Sequence, residues 1–176
     1  MIQEVTTERM LLRPITLADA DALVALDSDP EVMRYLSGGR PTPRDQVVET
    51  IREHLGCRWI GSYPSTNDFV GWFGLVPTGS AEYAIGYRLR RAAWGCGLAT
   101  EGTRALIALA FSELGARRIS AETMAVNLRS RRVMERCGMR HVRTFHLEWD
   151  DPIAGTELGE VEYELLRPDW EVTVRL

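Results

Sequence analysis

A chain of 176 residues, 45% hydrophobic and 26% charged, is long enough to bury one core without covalent staples and has ordinary globular composition. Its net charge of −4 argues against a general nucleic-acid binder, which would carry a basic excess. The apolar run Ala105–Phe111 is far too short to span a membrane.

Cys57, Cys96 and Cys137 include no close-spaced pair, and His54, His141 and His146 include no two at ligand spacing on one helix face. Neither a disulfide framework nor a metal site is expected. The opening Met1-Ile2-Gln3-Glu4-Val5 carries an acid where a signal peptide needs bases. The expectation is a single domain over 1–176, working in the cytoplasm, with no membrane and no nucleic-acid partner.

In chain order, Met10-Leu11-Leu12-Arg13 fits a first strand ended by Pro14. Thr16 with Asp19 forms a capping-box pattern, and Leu23 and Leu26 follow at helical spacing. Asp29-Pro30 reads as the start of a second short helix, with Val32, Met33 and Leu36 apolar and Gly38-Gly39 as its stop. Thr42-Pro43 starts a third, with Val47, Val48, Ile51 and Leu55 on one stripe. Strands are expected over Cys57–Ser62 and Phe69–Val76, joined by a turn-rich segment, and over Tyr83–Leu89. After Trp94-Gly95-Cys96-Gly97-Leu98-Ala99-Thr100 comes a strong helix stopped by Gly115. Ile119–Thr123 is a strand, Asn127 caps a helix closed by Gly138, and two long antiparallel strands follow, Met139–Trp149 and Gly159–Leu166. This order predicts an α/β fold, a mixed sheet with helices on both faces.

A strand that runs into a glycine-rich turn and then a helix offers free backbone N–H groups and the positive end of a helix dipole, an anion site. Gly95 and Gly97 lack Cβ and allow close approach to the backbone. A turn built only for packing would read the same. A dinucleotide fingerprint needs Gly or Ala where Thr100 stands, and a Walker loop needs Gly-Lys-Ser/Thr, which is absent. The remaining candidate is the pyrophosphate loop of coenzyme A acyltransferases.

Ile85-Gly86-Tyr87-Arg88-Leu89 followed by Trp94–Glu101 resembles motif A of the GNAT superfamily of N-acetyltransferases, although Trp94 stands where the broad superfamily often has Arg or Gln. Asn127-Leu128-Arg129-Ser130, with Met134-Glu135 and Cys137-Gly138-Met139, resembles its motif B. The opening Thr7–Pro14 and the closing Val161–Leu165 with Trp170 resemble one branch, the ribosomal-protein N-terminal acetyltransferases and their small-molecule relatives. The resemblance implies a central sheet splayed open between Tyr83–Leu89 and Ile119–Thr123, and acetyl-CoA as cosubstrate. Its pantetheine would lie like an added strand along Tyr87 and Leu89. Its pyrophosphate would sit on the amides of Gly95, Cys96, Gly97, Leu98, Ala99 and Thr100. Asn127 and Ser130 would face the pantetheine arm and the sulfur. Dimerisation is a family-level expectation.

Acyl transfer from a thioester needs a neutral amine, so a carboxylate must take its proton, and the departing thiolate benefits from a donor. Glu82 opens the central strand beside small Ala84 and Gly86 and is the first candidate base; a solvated strand-end carboxylate is the alternative. Glu122, toward the C-terminal end of the next strand, is the second; a salt bridge to Arg117 or Arg118 is its alternative. Ser130 is the candidate donor to the thiolate, or simply a first-turn residue behind the Asn127 cap. Tyr87 and Tyr163 fit the same role, or core packing with satisfied hydroxyls. Glu160, Glu162 and Glu164 alternate with Val161, Tyr163 and Leu165, as the wet face of a strand or as an acidic rim attractive to amines. The expected reaction is acetyl transfer to a primary amine, either a protein N-terminus or a small molecule. The alternatives are an idle acyl-CoA-binding regulator and a nucleotide-binding module.

Overall fold

Alternating apolar residues fold the chain into one eight-stranded sheet, seen in a computed structural model that describes residues 3–174. Met1 and Ile2 of the opening segment lie outside the described residues. The strands are β1 (Val5–Thr6), β2 (Leu11–Pro14), β3 (Arg58–Ser62), β4 (Phe69–Gly79), β5 (Glu82–Leu89), β6 (Arg118–Met124), β7 (Arg140–Phe145) and β8 (Glu160–Leu166). The helices are α1 (Ala20–Leu26), α2 (Arg44–Glu53), α3 (Leu98–Ser112), α4 (Leu128–Arg136) and α5 (Arg167–Val174). The sheet order is β1-β2-β3-β4-β5-β6-β8-β7, and β5–β6 is its parallel pair.

The period-2 alternation divides each strand between two faces. Phe73, Leu75, Ile85, Leu89, Ile119, Ala121, Tyr163 and Leu165 join the core that Leu98, Leu106, Ile107, Ala110 and Met134 of α3 and α4 complete. Ile60 and Trp72 point the other way and pack with Leu23, Val47 and Ile51 of α1 and α2. Helices therefore cover both faces, as the element order predicts. The capping box forms: the Asp19 carboxylate accepts from Thr16 N at 2.8 Å. α3 sits close to the sheet because Gly102 lies on the Phe73 ring, where a Cβ would collide with it.

The parallel pairing of β5 with β6 covers only Glu82↔Arg118, Tyr83↔Ile119 and Ala84↔Ser120. Beyond that row β5 stays paired to β4 as far as Leu89, and β6 stays paired to β8 as far as Met124. The sheet is thus open between Ile85–Leu89 and Ala121–Met124, the splay the resemblance implies.

Two expectations change, and one helix was not anticipated. The second short helix at Asp29-Pro30 is a run of turns: the N–H groups of Leu36, Ser37 and Gly39 all fold back on the Met33 carbonyl, so no helical ladder propagates. The strand expected to reach Trp149 ends at Phe145, before a loop that bends through Gly155 at φ +99°. After β8 the chain turns into α5, with Pro168 in its first turn, where a missing N–H is harmless. Its Trp170 ring lies 5.2 Å from Phe111.

Candidate functional site

The strand β5 leads into the glycine turn. Gly95 and Gly97 adopt φ of +76° and +82°, a backbone that L side chains rarely take. A Cβ at Gly95 would meet nothing within 4 Å, and one at Gly97 would meet only the Arg9 guanidinium, at 3.4 Å. Gly97 is the N-cap of the 15-residue α3, whose first amides have no intrahelical partner. Open space, left-handed glycines and a long helix's N-terminus together form an anion cradle. Cys96 is exposed and Ala99 half-buried, whereas the side chains of Leu98 and Thr100 are buried. Trp94 pins the turn to β5, its Nε1 donating to the Leu89 carbonyl at 2.8 Å.

Glu101, in the first turn of α3, faces away from the cradle. Its carboxylate accepts from Thr7 Oγ1 at 2.6 Å, Arg9 N at 2.8 Å and Arg9 Nε at 2.7 Å. Burial pushes this carboxyl up, but those hydrogen bonds outweigh it and hold it below its ordinary value. Arg9 also donates through Nη1 to the Cys96 carbonyl at 2.8 Å. Arg9 therefore ties the turn to the start of the chain, a role the sequence reading missed. Its signal was present in Thr7-Glu8-Arg9, but the partner stands 92 residues away.

At the open end of the splay the structure brings Tyr87, Asn127 and Ser130 together. The Tyr87 hydroxyl donates to the Ser130 carbonyl at 3.0 Å and lies 3.0 Å from its Oγ. Burial drives this phenol well above its ordinary pKa, so it stays protonated. Asn127 Oδ1 accepts from Ser130 N at 3.3 Å, which is the predicted cap, and its Nδ2 donates to Thr123 Oγ1 at 3.0 Å. Tyr163 is fully engaged elsewhere: it donates to Glu135 at 2.9 Å and accepts from Arg131 at 3.2 Å.

The two candidate bases stand at opposite ends of the splay. Glu82 lies in the row where β5 and β6 still pair and forms a 3.6 Å ion pair with Arg118. Glu122 is exposed, two residues past the last pairing, and faces the same side of the sheet. The alternative reading, a bridge to Arg118, does not form, because Arg118 turns to Glu162 at 2.5 Å and Glu164 at 2.8 Å. Of the tryptophans on the sheet, Trp59 is core. Trp72 is partly exposed, its ring 4.0 Å from the Arg58 guanidinium and 5.3 Å from that of Arg88. Among the described residues no group of three His, Cys, Asp or Glu side chains is placed to hold a metal, and no helix is long and apolar enough to cross a membrane.

Residues 9–140 match the family model of the acetyltransferase (GNAT) domain. The chain belongs to the GNAT acetyltransferase family. It is 36% identical over 181 residues to the FsC-acetyl coenzyme A-N(2)-transacetylase of Aspergillus fumigatus, a match covering 93% of this chain and 76% of that protein. Its fold superposes on a GNAT-family acetyltransferase from Bacillus anthracis with TM-score 0.80 and 25% identity, over 94% of this chain and 99% of that one. It also resembles the fold of the Vibrio cholerae spermidine N-acetyltransferase, solved with CoA and spermine, with TM-score 0.78 and 15% identity over 93% and 98% of the two chains. The protein is accordingly an acyltransferase. The matched GNAT segment holds Arg9, the splay, the glycine turn and the Asn127 helix start, and it ends before β8 with its three glutamates.

Proposed function

We propose that this GNAT domain, one domain over 1–176, transfers the acetyl group of acetyl-CoA to a primary amine by direct attack. The observation that carries the reading is the break in β5–β6 pairing after Ala84↔Ser120, beside a helix N-terminus whose glycine turn is open. The free strand edges supply hydrogen bonds for an extended amide-bearing arm along Tyr87 and Leu89. The amides of Gly95, Cys96, Gly97, Leu98, Ala99 and Thr100 supply donors for a pyrophosphate. Asn127 and Ser130 close the inner end.

In the reaction the amine nitrogen attacks the thioester carbonyl, the amine gives up its proton, and the C–S bond breaks. We assign the proton to Glu122, directly or through one water, because it stands where the sheet has opened. Glu82 stands at the closed end against Arg118. Ser130 Oγ donates to the departing sulfur, held in place by the Tyr87 hydroxyl. The relative's name supports an amine acceptor, and the likeness of the chain's two ends to enzymes that acetylate ribosomal-protein N-termini and small amines supports the same reading.

The test is release of CoA thiol from acetyl-CoA across primary amines, diamines and N-terminal peptides. Turnover with at least one acceptor is expected. Binding of CoA without turnover on any acceptor would leave a regulator, and competition by ADP but not by CoA would leave a nucleotide module.

A further inference from the structure

Five carboxylates lie on one face of the sheet, the face that α1 and α2 also use. The register places Glu82 beside Arg118, Glu122 beside Glu162, Ser120 beside Glu164, and Met124 beside Glu160. Arginines neutralise three of the five. Arg118 reaches Glu82, Glu162 and Glu164; Arg143 holds Glu162 at 2.5 Å, and Arg140 holds Glu164 at 2.9 Å. Glu162 and Glu164 are therefore structural ion pairs.

Glu160 is different. It is 7% exposed, and its Oε1 is sealed from solvent without a hydrogen-bond partner. Its cross-strand neighbours, Met124 on β6 and Phe145 on β7, carry a thioether and a phenyl ring, neither of which donates a hydrogen bond. Burial pushes its carboxyl above the ordinary value, and the charged neighbour that adds to the shift is another carboxylate, Glu122. A buried charge without a partner is strongly unfavourable, and an unsatisfied polar group of this kind in a folded protein calls for a function. The nearby Arg118, Arg140 and Arg143 are bound to the other acids, so none of them partners Glu160, and a cationic ligand would.

The position fits such a ligand. Glu160 pairs with the last residue of β6, at the end where the splay is open and three residues before Asn127. We infer that Glu160, together with Glu122, is the docking site for the acceptor's ammonium group, so that the acceptor enters as a cation. Glu160 anchors it and Glu122 takes the ammonium proton to free the nitrogen lone pair; the second proton, shed by nitrogen as the C–N bond forms and the C–S bond breaks, passes to the departing thiolate, which leaves as the thiol. This deepens the proposed function and rests on it.

Glu160→Gln keeps the shape and removes the charge. The KM for the best-used amine should rise on the order of tenfold or more, with the acetyl-CoA KM within about twofold. The melting temperature should stay level or rise, because a site held ready for a ligand is bought with stability. Glu160→Asp should recover part of the acceptor affinity. An unchanged acceptor KM in Glu160→Gln overturns the inference; so does a lowered melting temperature with both KM values raised, which marks a structural residue. Should the wild type acetylate no amine, the proposed function fails separately, and the cation site is read by heat protection from millimolar 1,3-diaminopropane. Protection of the wild type that Glu160→Gln loses sustains the site, and no protection of the wild type removes it.

Discussion

Gly97 and Arg9 set the turn from opposite sides, one by what it lacks and one by what it ties. Gly97→Val places a β-branched side chain at φ +82°, in the space an anion would occupy. The expected outcome is loss of CoA binding in calorimetry while circular dichroism still reports a folded domain. Arg9→Ala should free the Cys96 carbonyl and the Glu101 carboxylate together. Its acetyl-CoA KM should rise on the order of tenfold with kcat little altered, because the turn is positioned rather than reactive. The proposed acid–base pair separates by pH. Glu122→Gln should lower kcat by roughly 10²–10⁴-fold, and the loss should shrink as the medium nears the amine's own pKa and the amine arrives neutral. Ser130→Ala withholds a donor from sulfur, so a more basic medium should not rescue it. Parallel pH–rate profiles for the two variants would dissolve the assignment.

Among the elements, the ones that carry the site were the most legible. Strand β5, the glycine turn, α3, β6 and the Asn127 cap are contiguous and announced by local signals: alternation, glycines and a capping residue. The splay was not legible from spacing, because where β5 and β6 part depends on pairing between strands 36 residues apart, Glu82 and Arg118; it came only through family resemblance. The turns over 30–39 were misread because apolar spacing cannot tell a helix from successive turns, and α5, which was not anticipated, has in its first turn a proline that offers no local helix signal. The glutamates of β8 show the limit most clearly. Their alternation assigns them to a face, but only arginines from β6 and β7 decide which are neutral pairs and which is orphaned. One packing contact links the elements to the site: Gly102 sets how closely α3, and therefore its N-terminus, lies on β4. Gly102→Val drives a side chain into the Phe73 ring, and a loss of roughly 1–3 kcal/mol is expected in denaturant unfolding. Wild-type stability in that variant would mean α3 can shift outward freely.

Over the whole molecule, five carboxyls held away from their ordinary values fall into two groups with opposite effects on stability. Arg143 and Arg118 hold the Glu162 carboxyl below its ordinary value of 4.5, and Arg118 and Arg140 do the same for Glu164. Asp19, despite burial, is held low by Arg13 and by Thr16, and Glu101 by Thr7 and Arg9. For each of these the unfolded chain binds its proton first as pH falls. Their stabilisation is complete above the unfolded value and is lost as pH drops through the folded one. Glu160 is raised above 4.5, so the folded state binds its proton first, and stability falls as pH rises from 4.5 through the folded pKa. Melting temperature should therefore drop steeply below pH 4.5 under the pull of four depressed acids. It should also decline gently from its maximum as pH rises through the folded pKa of the one raised acid. Glu160→Gln should keep the acid limb and flatten the other, because only the second belongs to that carboxylate. Melting curves of the two proteins taken across this range decide the matter. If their neutral limbs run parallel, Glu160 is not the charge the fold holds at a loss, and the case for a cation beside it falls with that result.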